Sequence, residues 1–269
     1  VTSGMADGDV KNVDAKEETP SVEFKNVSLT YSGSGAPSVE GINFKAMKGQ
    51  TIGVIGGTGS GKSSLVNLIP RLYDATQGEV LVDGVNVKEY DIETLRNKVG
   101  IVMQKAVLFK GTIRENMWMG KKGATDEQID EALEISQSKE FVDSKQGRLD
   151  YVIEQGGKNL SGGQRQRLTI ARAIVRKPDV LILDDSASAL DFATDAALRK
   201  AIRGMNNSPT VFIVSQRAAS LMYADLIIVL DDGQVAGMGT HDELLANCEV
   251  YKEIYESQFK KADSEGGVA

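Results

Sequence analysis

The run Gly56-Gly57-Thr58-Gly59-Ser60-Gly61-Lys62-Ser63 fits G-x-x-x-x-G-K-[ST], a pattern whose chemistry is phosphate binding. Glycines let successive backbone N–H groups turn inward without Cβ obstruction, and a following helix adds the positive end of its dipole. Lys62 then contacts the β and γ phosphates of a nucleotide, and Ser63 ligates Mg2+. Such a metal needs further oxygen ligands. The apolar run Val180-Leu181-Ile182-Leu183-Asp184 delivers one carboxylate to a strand end, where Asp184 holds the metal or its bound water. Between these segments lies Leu160-Ser161-Gly162-Gly163-Gln164, which means little alone and gains meaning from this order.

The elements around these residues follow from patterning. Strands are expected over 21–31, 42–46 and 51–55, the last leading into the Gly-rich turn and a helix over 62–72. Residues 79–82 with Asp83-Gly84 form a hairpin arm, Asp91 caps a short helix through Arg96, and a buried strand over 99–103 ends at Gln104. From about 105 to 177 the pattern is helical: Thr125 and Gln128 make a capping box, and a helix over 164–175 is stopped by Pro178. Strands over 180–183, 211–214 and 226–230 then alternate with helices such as 194–205, which implies a parallel sheet covered by helices.

At 269 residues and 41% hydrophobic content the chain builds a sizeable core. A net charge of −7 argues against non-specific nucleic-acid binding, although a localised basic patch stays open. One cysteine, Cys248, excludes an intrachain disulfide. The apolar runs are strand-sized rather than the ~18 residues a membrane helix needs, so the chain is expected to be soluble as given. Residues 1–20 lack a signal-peptide layout and read as a linker from an absent transmembrane domain, and residues 259–269 read as a polar tail.

Together the phosphate loop, Gln104, the pentapeptide and Leu183-Asp184-Asp185 resemble the nucleotide-binding domain of ATP-binding cassette (ABC) transporters, over roughly residues 21–258. Gly111-Thr112-Ile113-Arg114-Glu115-Asn116, Glu154 and Gly239-Thr240-His241-Asp242-Glu243-Leu244-Leu245 resemble the exporter branch. The resemblance implies an α/β P-loop NTPase (RecA-like) core with an N-terminal antiparallel β subdomain and an inserted α-helical subdomain. It further implies ATP and Mg2+ bound by Tyr31, Gly57, Thr58, Gly59, Ser60, Gly61, Lys62, Ser63, Ser64, Gln104 and Asp184. In this family the aromatic residue at Tyr31 stacks on adenine, although a strand-ending Tyr more often simply packs. Gln104 matches the residue that senses Mg2+ and the attacking water. Ser161, Gly162, Gly163 and Gln164 would grip the γ phosphate held by an opposing subunit. Asp191 matches an interfacial residue and equally reads as a helix N-cap. The segment 107–117 would lie under transmembrane helices or be ordinary core.

Two positions depart from the family pattern. Asp185 stands where Glu is usual, and Gln216 stands where His is usual. Asp is one methylene shorter, roughly 1.5 Å of reach, and a group misplaced by about 1 Å loses on the order of a hundredfold in rate. Gln216 hydrogen-bonds a phosphate but offers no imidazole. An intact pentapeptide beside a weakened catalytic half resembles the degenerate-site subunit of a heterodimeric multidrug-type exporter, paired with a second, non-identical nucleotide-binding domain on the cytoplasmic face of the membrane. The alternatives are a non-catalytic nucleotide-gated module and a chromosome-organising or repair ATPase, the latter disfavoured because no long coiled coil separates Lys62 from Ser161. His241 reads as a structural residue, and Arg165, Arg167, Arg172 and Arg176 as a solvated helix face.

Overall fold

The computed structural model describes residues 18–186 and 188–265. Residues 1–17 of the expected linker, Ala187 and residues 266–269 lie outside the described residues. In chain order β1 (Val22–Leu29) and β2 (Val39–Ala46) pair antiparallel, and β3 (Thr51–Gly56) leads through the phosphate loop into α1 (Lys62–Asn67). β4 (Gln77–Val82), β5 (Val85–Asn86), α2 (Ile92–Lys98) and β6 (Val99–Val102) follow. The inserted stretch holds β7 (Gly111–Thr112), α3 (Ile113–Trp118), α4 (Asp126–Ile135), α5 (Lys139–Asp143), β8 (Val152–Ile153) and α6 (Gly162–Ile174). The chain then closes with β9 (Val180–Asp184), α7 (Phe192–Arg203), β10 (Thr210–Val214), β11 (Leu226–Asp231), β12 (Gln234–Gly239), α8 (His241–Asn247) and α9 (Glu249–Glu265).

One antiparallel sheet has the order β2-β1-β4-β5, and the central sheet has the order β12-β11-β3-β10-β9-β6. The strands from β11 to β6 are parallel, as the alternation of elements predicts. β12 corrects the expectation of a wholly parallel sheet, because it pairs antiparallel with β11. Its turn, Asp232-Gly233, has φ of 44° and 78°, and two successive positive φ values give a hairpin whose twist matches its strands.

Central strands are apolar at nearly every position because both faces are covered. Val54, Ile182, Phe212 and Ile228 point into a core shared with β1, β2, α1 and α2. Their neighbours Ile55, Leu183, Ile213 and Val229 point into a second core with α4, α6, α7 and α9. This period of two keeps the sheet in register: a slip by one residue would exchange the two cores.

Three local expectations need correction. The helix after the phosphate loop ends at Asn67 instead of 72, since Leu68 and Ile69 close tighter bonds to Leu65 and Val66, and Pro70 has no N–H to continue. The stretch 105–177 is not purely helical, because β7 and β8 pair within it. The last helix runs to Glu265, so the tail expected from 259 begins as helix. The Thr125/Gln128 capping box is present as expected. Among the described residues no helix is long and apolar enough to cross a membrane.

Candidate nucleotide-binding site

Because β3, β10, β9 and β6 lie side by side and parallel, their carboxyl ends bring four segments to one edge. These are the phosphate loop after β3, Ser215-Gln216 after β10, Asp184-Asp185 on β9 and Gln104 after β6. Open α/β sheets bind ligands at this edge.

The phosphate loop is shaped by its surroundings. A Cβ at Gly61 would overlap the Ser38 carbonyl, and one at Gly56 the Leu230 carbonyl, so neither position accepts a side chain without backbone movement. At Gly57 and Gly59 the space beyond the backbone is open. Lys62 folds back over the loop: its Nζ donates to Gly56 O at 3.0 Å and Gly57 O at 2.6 Å. Burial pushes the Lys62 ammonium below its usual range, and Asp184 and Asp185 oppose that shift. An ammonium held by carbonyls and poorly hydrated is poised to exchange them for phosphate oxygens.

The carboxylates sit where the chain pattern puts them. Asp184 is buried at the end of β9 and accepts a hydrogen bond at 3.2 Å from Ser63 Oγ. Burial raises its carboxyl above the usual range; the Ser63 hydrogen bond opposes this, and the Asp185 charge adds to it. A desolvated carboxylate beside a hydroxyl is a hard oxygen donor set that fits Mg2+. The open space over Gly57 and Gly59, beside the Lys62 ammonium, fits the phosphates of the same ligand.

Next along the chain, Asp185 has φ 46°, the left-handed region that Asp tolerates better than most residues. Its N–H donates to Val214 O at 2.9 Å, tying the turn to β10. Gln104 Nε2 donates to Asp185 Oδ2 at 3.2 Å, so two residues far apart in sequence meet at the site.

Tyr31 also reaches this edge. Its hydroxyl donates to Ser64 Oγ at 3.0 Å, and its ring meets Tyr73 edge-on at 4.9 Å. Gln216 is exposed beyond β10, and among the described residues no hydrogen bond joins its side chain to Asp185, Gln104 or Lys62. The pentapeptide stands apart from this cluster. Ser161 Oγ accepts from Gln164 N at 3.2 Å and Gln164 Oε1 accepts from Ser161 N at 3.1 Å, a capping box that leaves the Gly162 N–H group toward solvent. Asp191 is the N-cap of α7, accepting from Thr194 N at 2.9 Å, and this bond lowers its carboxyl below the usual range.

The arginines on and just beyond α6 are not a solvated face. Arg165 donates to Leu160 O at 2.7 Å, Arg167 to Gln137 O at 2.6 Å, Arg172 to Val107 O at 2.9 Å and Arg176 to Arg96 O at 2.7 Å. Burial lowers the last three below the usual guanidinium range. They brace loops, since guanidinium forks suit carbonyls that helices and strands leave unpaired. His241 bears out its structural reading: it opens α8 and its Nδ1 lies 2.7 Å from Tyr251 Oη.

Sequence patterning missed several residues that hold this edge together. Buried Asp195 pairs with Arg199 at 2.7 Å, and Arg199 Nη1 donates to Ser220 O at 2.7 Å, linking α7 to the loop after Gln216. Gln258 on α9 contacts the same loop. An i,i+4 Asp–Arg pair was the only available signal.

Residues 39–188 match the family described as ABC transporter. An uncharacterized ABC transporter ATP-binding protein of Mycobacterium tuberculosis is 43% identical over 250 residues, covering 92% of this chain and 42% of the relative. The ABC transporter ATP-binding protein YfiB of Bacillus subtilis is 43% identical over 244 residues, covering 91% and 42%. A solved bacterial Atm1-family ABC exporter with ATP bound superposes with a TM-score of 0.85 at 32% identity, over 93% of this chain and 44% of that one. The chain thus spans about two fifths of the length of the curated relatives it matches. With the fold, the matched family region and these relatives in agreement, the chain belongs to the ABC transporter family and has the nucleotide-binding domain fold of its exporters.

Proposed function

We propose that this chain is the ATP-binding domain of an exporter subunit whose own catalytic half-site is slow, and that its pentapeptide completes the site of a non-identical partner. The observation that carries this reading is the cluster Lys62, Ser63, Asp184, Asp185 and Gln104 at one sheet edge, with Asp185 one methylene shorter than a Glu at that place would be. ATP is bound with its base against Tyr31 and its phosphates along Gly57 to Ser64, where Lys62 carries the positive charge. Ser63, Asp184 and Gln104 hold Mg2+, which when bound neutralises phosphate charge. Asp185 faces the attacking water and accepts its proton, but its carboxylate ends roughly 1.5 Å short of a Glu carboxylate. Gln216 donates an amide hydrogen bond to the terminal phosphate and supplies no cation.

Ser161 with the N–H groups of Gly162 and Gly163, and Asp191 beside them, face the opposing domain. Closing two domains over two nucleotides makes ATP a dimerisation force, and cleavage mainly in the partner's site reopens the pair. A groove of about 310 Å³ between the core and the inserted subdomain supports docking of the transmembrane part of the transporter. Leu72, Phe109 and Met119 are exposed along it, and the lining residues Arg172 and Arg176 keep buried N–H groups without partners. Of residues 107–117, Phe109 lines this groove while Leu108, Ile113 and Met117 are buried in the core, and the domain works at the cytoplasmic side of the membrane.

Asp184→Asn tests the metal half of the site. A carboxyl raised by burial contributes stability that is present below its unfolded pKa and lost as pH rises through the folded value, so at neutral pH its ionised form is a cost. The nucleotide-free variant is expected to melt about 2–4 °C higher at pH 7, the shift ~1 kcal/mol gives in a domain of this size, with the difference vanishing toward pH 4. Mg2+ should stabilise the ATP-bound wild type and leave the ATP-bound variant unchanged. Scanning calorimetry with and without Mg2+ reads both; equal Mg2+ stabilisation of the two proteins would remove Asp184 from the metal site.

A further inference from the structure

The loop that carries Gln216 is held from the far end of the chain. Gln258 Nε2 donates to Gln216 O at 2.7 Å, while Gln258 Oε1 accepts from Ala218 N at 2.9 Å. A single primary amide therefore clasps both sides of the peptide backbone around residue 217. A side-chain amide carries its donor and its acceptor on two separate atoms, so it can meet an N–H and a carbonyl at once. Gln258 is itself placed by packing: Tyr251, Tyr255 and Gln258 recur at helical spacing on one face of α9, and Tyr251 is fully buried. Tyr251 Oη is fixed by His241, and the Tyr255 ring meets those of His241 at 5.2 Å and Phe259 at 4.3 Å, both tilted. At the other end of the loop, Arg199 holds Ser220 O, so the backbone between is fixed at both ends.

We propose that Gln258 is a positioning residue: its amide sets the backbone at 216–218, and with it the direction in which Gln216 reaches toward the terminal phosphate. The position of α9 is thereby coupled to the nucleotide site, and any partner that shifts this helix shifts Gln216. The inference rests on the reading that Gln216 meets the phosphate.

Three variants of the chain, Gln258→Ala, Gln258→Glu and Gln216→Ala, separate the possibilities. Gln258→Glu keeps the acceptor for Ala218 N but turns a carboxylate toward Gln216 O, so it loses the bond that matters while sparing the other. Gln258→Ala is expected to speed amide exchange at Ala218 by about 10-fold or more, and Gln258→Glu to leave it nearly protected. Both should lower kcat for MgATP by about 3- to 10-fold with KM changed less than about 2-fold, as misplacement of a group acting in the transition state requires. In a Gln216→Ala background, Gln258→Ala should cost nothing further. A merely structural role would instead give Gln258→Glu normal turnover, or an undiminished loss in the Gln216→Ala background, and either result overturns the proposal. A fall in Gln216→Ala without a fall in either Gln258 variant overturns the positioning role alone. Normal kcat in Gln216→Ala removes the phosphate reading of Gln216, and the positioning role with it.

Discussion

Asp185→Glu combined with Gln216→His is expected to raise kcat for MgATP hydrolysis by on the order of 100-fold over the wild-type chain, with KM nearly unchanged. The added methylene extends the carboxylate by roughly 1.5 Å, the reach that the proposed function takes Asp185 to lack. The imidazole adds a group that charges near neutral pH beside the terminal phosphate. KM holds because Lys62 and Ser63 are untouched. Each single variant should give only part of the gain, since residues that act on one transition state are not additive. One cost is local: position 185 has φ 46°, which Glu tolerates less well than Asp, so the variant should melt slightly lower. Steady-state phosphate release at saturating MgATP measures the effect, and a double variant no faster than wild type would show that reach is not what limits the site.

Gly162→Asp is expected to leave ATP binding by this chain intact while lowering hydrolysis in a mixed pair by on the order of 100-fold, as large a loss as removing a preorganised anion donor gives, because a carboxylate now opposes the phosphate. A Cβ at Gly162 meets only Arg165 Nη2, at 3.9 Å, so the fold accepts the substitution. The new carboxylate then faces phosphate at a helix N-terminus, where charge repulsion replaces attraction. The readout needs a second domain with Glu and His at the positions of Asp185 and Gln216. Phosphate release by that mixture should collapse, while nucleotide titration of the variant alone should match wild type. Loss of the variant's own affinity instead would place the pentapeptide in cis.

Much of the site was legible because its signals are local. The phosphate loop is eight consecutive residues, and Asp184 ends a short apolar run, set off by Pro178, whose length suits a buried strand. The capping box at Thr125 spans four residues, whereas the equally short one at Ser161 was passed over for a phosphate-binding reading. Family resemblance put Gln104 and Asp185 each at the site, but their contact was not legible, as 81 residues separate them. Nothing in the sequence pointed to Gln258, which lies 42 residues from Gln216 and bonds to its backbone, leaving no complementary side chain to notice. The arginines on and just beyond α6 were misread for the same reason: their partners are carbonyls of Gln137, Val107 and Arg96, invisible to charge pairing. The helix after the phosphate loop ended early because apolar periodicity continued past Pro70 although hydrogen bonding could not.

In the proposed cycle this domain binds nucleotide well yet leaves cleavage to a companion. Turnover of the wild-type chain alone, at saturating MgATP and increasing protein concentration, tests it most directly. Slow phosphate release that stays low at every concentration, beside undiminished nucleotide binding, is the predicted result. Fast release growing with the square of protein concentration would reveal a self-sufficient pair of identical domains and contradict it.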